Sequence, residues 1–541
     1  MHRSRSRTRM AGGLAAAALA AVSLAAAPAP PPAAAGGIRW GSCPEKPVPA
    51  DMRCGTLAVP LDYGHPGKGK AQRTVTLALA RLPATGPASR RIGSLVLNFG
   101  GPGAPGISGL AADPGLFAEL NKRYDLVAFD PRGVGHSAPV SCGDGQGDGR
   151  SQGRSQGDSP APATPDGAAT ELAALRAMAQ SCARASGPVL PYIGTVSVAR
   201  DMDEIRRALG EEKLDFLGFS YGTRLGAVYA AQFPKTTGRM VLDGVDTLSE
   251  PLTEQALVSA AGQQRALDNF LTWCAHRPGC VFGTNTRTAK QKVQGLVTRL
   301  DQRPLTGGDG QAFTGQDVVE AIGTALYSPR MWPALADALA LVERSGDPVG
   351  LMQLGGPTEP PPPAPPPPPS PSPSPSPSPD EGEGGGSGAT VPGDNTAAAL
   401  VAVNCADDPD RGDAKASPAA VERELAELAP LFLAASPVFG PRQLMTVLSC
   451  YGRPAGTDFI RKIDRPAGIP RMLLVGTRGD PATPYEWTEE TAKRLGNTVV
   501  VDYKGDGHTG YVASSCVRGY VDHFLLDGRL PSGTRSCPAG E

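Results

Sequence analysis

Apolar residues along the chain fall into two rhythms. Between residues 55 and 130 they form short runs, "GTLAVPLDY" at 55–63, "RTVTLALARL" at 73–82, "GSLVLNFG" at 93–100 and "YDLVAFD" at 124–130, separated by turn-forming stretches. Runs of this length, rich in Val, Leu and Thr, predict strands. A short helical stretch, "GLFAELNKR", precedes the fourth run, and two longer ones, "TELAALRAMAQSCARA" and "SVARDMDEIRRALG", follow it. The buried run "LDFLG" at 214–218 gives way at Tyr221 to a helical spacing of Leu225, Val228, Tyr229 and Phe233 that Pro234 ends. "RMVLDGVD" at 239–246 reads as the next strand. Strand and helix alternate, so the expected fold is α/β with a mostly parallel sheet and helices on both faces.

After Asp246 the rhythm changes. Helical spacing dominates from about Glu254 to Leu448 and no strand is legible there, which predicts an inserted helical cap over 251–448. Alternation returns with "RMLLVGTRGDP", with "NTVVVDY" as the last strand and "TGYVASSCVRGYVDHFLLDG" as a closing helix. The core is thus expected in two pieces, 36–250 and 449–541, split by the cap. Two segments stand outside both rhythms. Residues 143–167 are rich in Gly, Ser, Gln and Asp and read as a surface insertion. The tract 359–388, "EPPPPAPPPPPSPSPSPSPSPDEGEGGGSG", packs as neither helix nor sheet. Its Pro-rich part, about 20 residues, would extend on the order of 60 Å as polyproline II. We read it as an insertion looped out of the cap, and as the place where contact with a cell wall would occur.

With 52 basic against 53 acidic side chains the net charge is −1, which points to neither nucleic acid nor an anionic membrane as partner. The first residues carry Arg3, Arg5, Arg7 and Arg9 ahead of the apolar stretch "AGGLAAAALAAVSLAAA", the pattern of a secretory signal within residues 1–35. Small-x-small patterns place cleavage after Ala25 or Ala35, and Pro28 argues against a cut after Ala27. No lipidation context and no other candidate membrane span follow, so an extracellular, released protein is expected, and nothing demands more than a monomer. Ten cysteines in an exported chain suit a disulfide framework. Pairing of sequence neighbours is expected: Cys43 with Cys54, Cys142 with Cys182, Cys274 with Cys280, Cys405 with Cys450, and Cys516 with Cys537.

The junction of the run at 214–218 with its helix holds the candidate chemistry. In "GFSYG", Ser220 stands between Gly218 and Gly222, the pattern of a nucleophile elbow whose strained turn only small neighbours permit. With 68 glycines in the chain the motif alone is weak, and its strand-turn-helix setting is what gives it weight. A serine needs a base, and there are six histidines, one of them in the signal segment. His508, in "YKGDGHTGY", follows the last expected strand at the sheet edge where sites form. Asp480 ends the preceding strand and would orient the imidazole, with Asp243, at the end of the strand after the serine, as the second candidate. Asp506 lies too close along the chain to His508, and Thr483 would hydrogen-bond the Asp480 loop. The order Ser220, Asp480, His508 is that of α/β hydrolases. The oxyanion-hole donors expected are the amides of Tyr221, just after the nucleophile, and of Gly101 with Gly100 beside it, in the glycine-rich "LNFGGPGAPG".

"NFGGPGAPG", "YDLVAFDPRGVGHS", "GFSYGTRLGAVYAAQFP", "VLDGVD", "GDPATP" and "GDGHTGY", in this order, resemble the secreted tripeptidyl aminopeptidases, relatives of the prolyl aminopeptidases among the α/β hydrolases. The resemblance covers most of residues 38–537 outside the two low-complexity segments. It implies hydrolysis of peptides with a free amino terminus through an acyl-enzyme, with Ser220 as nucleophile, His508 as base and then acid, and Asp480 as orienter. Prolyl aminopeptidases carry His before the paired glycines; this chain has Phe99, which argues against proline specificity. An aminopeptidase must hold an ammonium group, and Asp407 and Asp408 in "VNCADDP" are the candidates. Asp130 and Arg132 in "FDPRG" are read as braces beneath the site. No metal or organic cofactor is implied. An esterase or lipase with the same triad is the alternative, because the same groups cleave esters.

Overall fold

The computed structural model describes residues 37–540 apart from 45–46, 66, 68–72, 144–164, 308–309, 356–389, 409–414, 454 and 461–462, with side chains of residues 165–169 also left aside. The signal segment, its cleavage positions at Ala25 and Ala35, most of the 143–167 insertion and the Pro-rich tract lie outside the described residues.

The strands, in chain order, are β1 (Arg39–Gly41), β2 (Arg53–Pro60), β3 (Thr74–Leu82), β4 (Gly93–Asn98), β5 (Tyr124–Phe129), β6 (Leu214–Phe219), β7 (Thr237–Asp243), β8 (Leu305–Thr306), β9 (Ala312–Phe313), β10 (Met472–Gly479), β11 (Thr498–Asp506) and β12 (Arg535–Cys537). Ten of them form one sheet in the order β1-β2-β3-β5-β4-β6-β7-β10-β11-β12. The first three pairings in that order, β1–β2, β2–β3 and β3–β5, are antiparallel, and every later one is parallel. Register aligns the carboxyl ends at the middle of the sheet. Phe219 of β6 lies opposite Asp243 of β7, which lies opposite Val475 of β10.

The near-continuous apolar strands arise because both faces are covered. On β4, Val96 packs into one layer and Leu95 with Leu97 into the other. The first layer takes in the helices Thr195–Ala208 and Tyr221–Gln232, through Met202, Ile205, Leu225 and Val228. The second takes in Gly106–Ala112 and Ser515–Asp527, through Leu110, Val521 and Leu525.

The cap has an apolar core of its own, built by the helices Leu252–Ala275, Thr286–Gln302, Gly315–Leu326 and Trp332–Ser345 around Phe270, Leu296, Ile322 and Leu335. Phe270, Trp273 and Trp332 meet there with ring centroids 5.6 to 5.9 Å apart. Contrary to the sequence expectation the cap does contain strands, since β8 and β9 pair as a small antiparallel hairpin. Strands of two residues leave no alternation to read. The sheet likewise exceeds its expected edge: β12 pairs with β11 beyond "NTVVVDY" and is tied back through Cys516–Cys537. Within the 251–448 span, the alanine-rich helix Asn395–Asp407 packs with the sheet, placing Ala399, Ala402 and Val403 in the first layer. The cysteines join neighbour to neighbour: Cys43–Cys54, Cys142–Cys182, Cys274–Cys280, Cys405–Cys450 and Cys516–Cys537.

Candidate active site

Ser220 terminates β6 with φ 54° and ψ −127°, outside the helical and extended regions, and the helix Tyr221–Gln232 starts at the next residue. A turn this tight brings backbones together. A Cβ on Gly218 would lie 2.5 Å from the Gly222 carbonyl oxygen, and one on Gly222 would lie 2.6 Å from Asn98 Oδ1. The two glycines flanking the serine are therefore steric requirements of the turn. The strained φ, which costs on the order of 1–3 kcal/mol, is held by the Ser220 amide donating to the Asp243 carbonyl at 2.9 Å.

His508 and Asp480 meet at the ends of β11 and β10. The imidazole Nδ1 lies 2.9 Å from Asp480 Oδ1 and 3.0 Å from Oδ2. Asp480 is fully buried and accepts from the amides of Ala482 and Thr483 at 2.8 Å, from Thr483 Oγ1 at 3.0 Å and from the Thr509 amide at 3.3 Å. These donors hold the carboxylate aimed at the ring. Burial alone would pull the imidazole pKa down. The Asp480 carboxylate, with Asp243 and Asp246 behind it, more than offsets burial and raises it above its ordinary 6.5.

Asp243, the second candidate for the acid, has a different position. Its carboxylate accepts the amides of Gly510 and Tyr511, both at 2.8 Å, while its carbonyl holds Ser220. Burial pushes its carboxyl up to about 6 despite those amides. Gly244 follows with φ +66°, and a Cβ there would lie 3.2 Å from Thr483 Oγ1 and 3.5 Å from His508 Cε1. The end of β7 thus touches the serine turn and the histidine loop alike. Asp506 faces away, bonded by Asn269 Nδ2 at 2.6 Å.

The glycine-rich loop after β4 lies against the elbow. A Cβ on Gly100 would lie 2.9 Å from Ser220 Cβ and 3.3 Å from the Tyr221 nitrogen. Gly100 donates its own amide to Asn98 Oδ1 at 3.0 Å. The Gly101 and Tyr221 amides have no such acceptor among the described residues, and so are the pair free to meet an oxyanion.

Beneath the elbow lies a buried polar network that sequence reading missed. The Tyr221 hydroxyl meets Thr195 Oγ1 at 2.6 Å, and Thr195 donates its hydroxyl and amide to Asp407 at 2.5 and 2.8 Å. Arg224, one helical turn after Tyr221, reaches Asp246 at 3.0 Å and Asp407 at 4.0 Å. Asp408 accepts the Leu252 amide at 3.2 Å at the start of the cap. Asp407 and Asp408 are both buried rather than solvated, and Asp407 is engaged by Thr195, 212 positions away in the chain, a partnership no local pattern reveals. Arg132 is fully buried, gripping Asp201 at 2.6 and 2.7 Å and three backbone carbonyls, and Asp130 accepts the amides of Ile107 and His136. Among the described residues no cluster of His, Cys, Asp or Glu is arranged to hold a metal ion, and no helix is long and apolar enough to cross a membrane.

The fold, with this array at the carboxyl edge of its parallel strands, defines an α/β-hydrolase. Residues 93–338 match the family described as alpha/beta hydrolase fold, and residues 436–537 match the family described as TAP-like protein. A Mycobacterium tuberculosis protein named serine protease Hip1 is 33% identical over 521 residues, covering 92% of this chain and 91% of its own. A protein of the same organism named carboxylesterase B is 33% identical over 511 residues, covering 92% and 89%. The tripeptidyl aminopeptidase of Streptomyces lividans is 30% identical over 518 residues, covering 93% and 87%. The chain belongs to the tripeptidyl aminopeptidase-related family of α/β-hydrolase serine peptidases.

Proposed function

We propose that this enzyme is an exported exopeptidase that removes short peptides, tripeptides first among them, from substrates with a free amino terminus. Ser220 Oγ attacks the scissile carbonyl as His508 takes its proton, and the imidazolium passes that proton to the departing amine. The oxyanion is met by the Tyr221 and Gly101 amides, and water then cleaves the acyl-Ser220 ester by the reverse route. Asp480 keeps Nδ1 protonated and the ring oriented.

The observation that carries the amine-recognition half of this reading is the charge at the seam between core and cap. Two buried carboxylates, Asp246 and Asp407, flank the guanidinium of Arg224 there, and the adjacent Asp408, also buried, accepts the Leu252 amide at the start of the cap. An excess of buried negative charge favours a substrate ammonium. Five disulfides support export to an oxidising compartment. The similarity to a carboxylesterase supports a second reading, ester hydrolysis by the same triad.

The test compares tripeptide chromogenic amides with free and acetylated amino ends, and a short-chain ester, on the wild type, Ser220→Ala and Asp408→Asn. Ser220-dependent release from the free-amine substrates alone, weakened in KM by Asp408→Asn, is the expected result. Turnover of the ester with none of the peptides would replace the peptidase reading by the esterase.

A further inference from the structure

Tyr327 belongs to the cap, in the turn after the helix Gly315–Leu326, and is absent from every motif that marks the site. Its carbonyl accepts the His508 amide at 2.8 Å, and its ring meets the imidazole edge-to-face with centroids 5.0 Å apart. The fit is close: a Cβ on Gly507, which has φ +96°, would lie 2.9 Å from both the Tyr327 oxygen and Pro329 Cδ. The turn that carries Tyr327 is thus held against the histidine loop. Yet Tyr327 keeps 47% of its surface exposed, among the largest values for a large apolar side chain among the described residues.

The chemistry of acyl transfer says what lies against such a ring. His508 delivers its proton to the leaving nitrogen, so that nitrogen stands within hydrogen-bond reach of the imidazole. The side chain of the first residue of the leaving peptide starts two bonds further on. We propose that Tyr327 is a specificity-determining residue for the leaving side, a rigid aromatic wall that favours an apolar side chain at the first position after the scissile bond. The inference rests on the acyl-enzyme reading above.

The reverse of acylation reads this surface directly. The full-length enzyme is acylated with trialanine methyl ester, releasing methanol, and offered leucinamide, phenylalaninamide, glycinamide or aspartic acid amide. The amine nitrogen attacks the acyl carbon, the bond to Ser220 Oγ breaks, and His508 returns the proton from the amine to Ser220. Initial rates of trialanine against trialanyl-amide formation give a partition ratio in which any general loss of activity cancels. The wild type is expected to favour the apolar amines by about tenfold, the scale of one apolar pocket contact. Tyr327→Ala abolishes that preference and Tyr327→Phe retains it. Equal partition to all four amines in the wild type, or an unchanged ratio in Tyr327→Ala, overturns the proposal whether or not other variants fold. Absence of any Ser220-dependent acyl transfer, by contrast, overturns the acyl-enzyme reading itself and this inference with it.

Discussion

The sheet and the cap are each built around an apolar core, but they serve the site in different ways. In the sheet, the proposed nucleophile and base hang on contacts between strand ends: Ser220 to Asp243, the Gly510 amide to the Asp243 carboxylate, Gly100 against Ser220. The cap span meets the core through the apolar Ala399, Ala402 and Val403 of the helix Asn395–Asp407, through polar contacts such as the exposed Arg265–Glu486 pair at 2.9 Å and Asn269 to Asp506, and at His508 through Tyr327. The difference separates tasks. On the proposed function, reaction geometry is set at the packed strand ends and the choice of leaving group at Tyr327 of the cap.

The largest expected effect lies in the sheet. Ser220→Ala should lower kcat by roughly 10⁶-fold while the thermal midpoint hardly moves. Loss of comparable size on a cap substitution away from Tyr327 would break the division. Asp480→Asn should cost about 10⁴ in kcat, because the imidazole loses its tautomer and orientation. Its pH profile is the sharper readout. On the proposed mechanism the neutral imidazole is the base, so the raised His508 pKa should place the acid limb of kcat/KM above 6.5, and removing the carboxylate charge should move that limb to lower pH.

Two stability measurements follow. Asp201→Asn leaves the fully buried Arg132 without its counter-charge and should lower the urea unfolding free energy by about 3–5 kcal/mol. Arg265→Ala, at a cap pair with side chains 39% and 58% exposed, should cost less than about 1 kcal/mol. Reversal of that order would mean that the seam, rather than the sheet, holds the molecule together.

The parts of this division legible in the sequence were those with local signatures. The elbow was legible because Gly218 and Gly222 are required on either side of Ser220 by close backbone contacts. The pairing of Asp480 with His508 followed from one strand-helix-strand step along the chain. What stayed hidden has no local signature. The strands β1 and β12 are three residues each, too short to alternate. Tyr327 sits in a turn within helical text, 181 positions before the histidine it packs on. Asp407 and Asp408 were named as carboxylates for a substrate ammonium, but the partner that engages Asp407, Thr195, is brought in only by the tertiary fold.

Asp243 gives the site a property that no single distance expresses. Its carbonyl holds the nucleophile turn and its carboxylate the two amides just past the base, so one residue is the common fulcrum of both loops. On the proposed mechanism one strand end thus sets the place of nucleophile and base together, so a change at Asp243 reaches both.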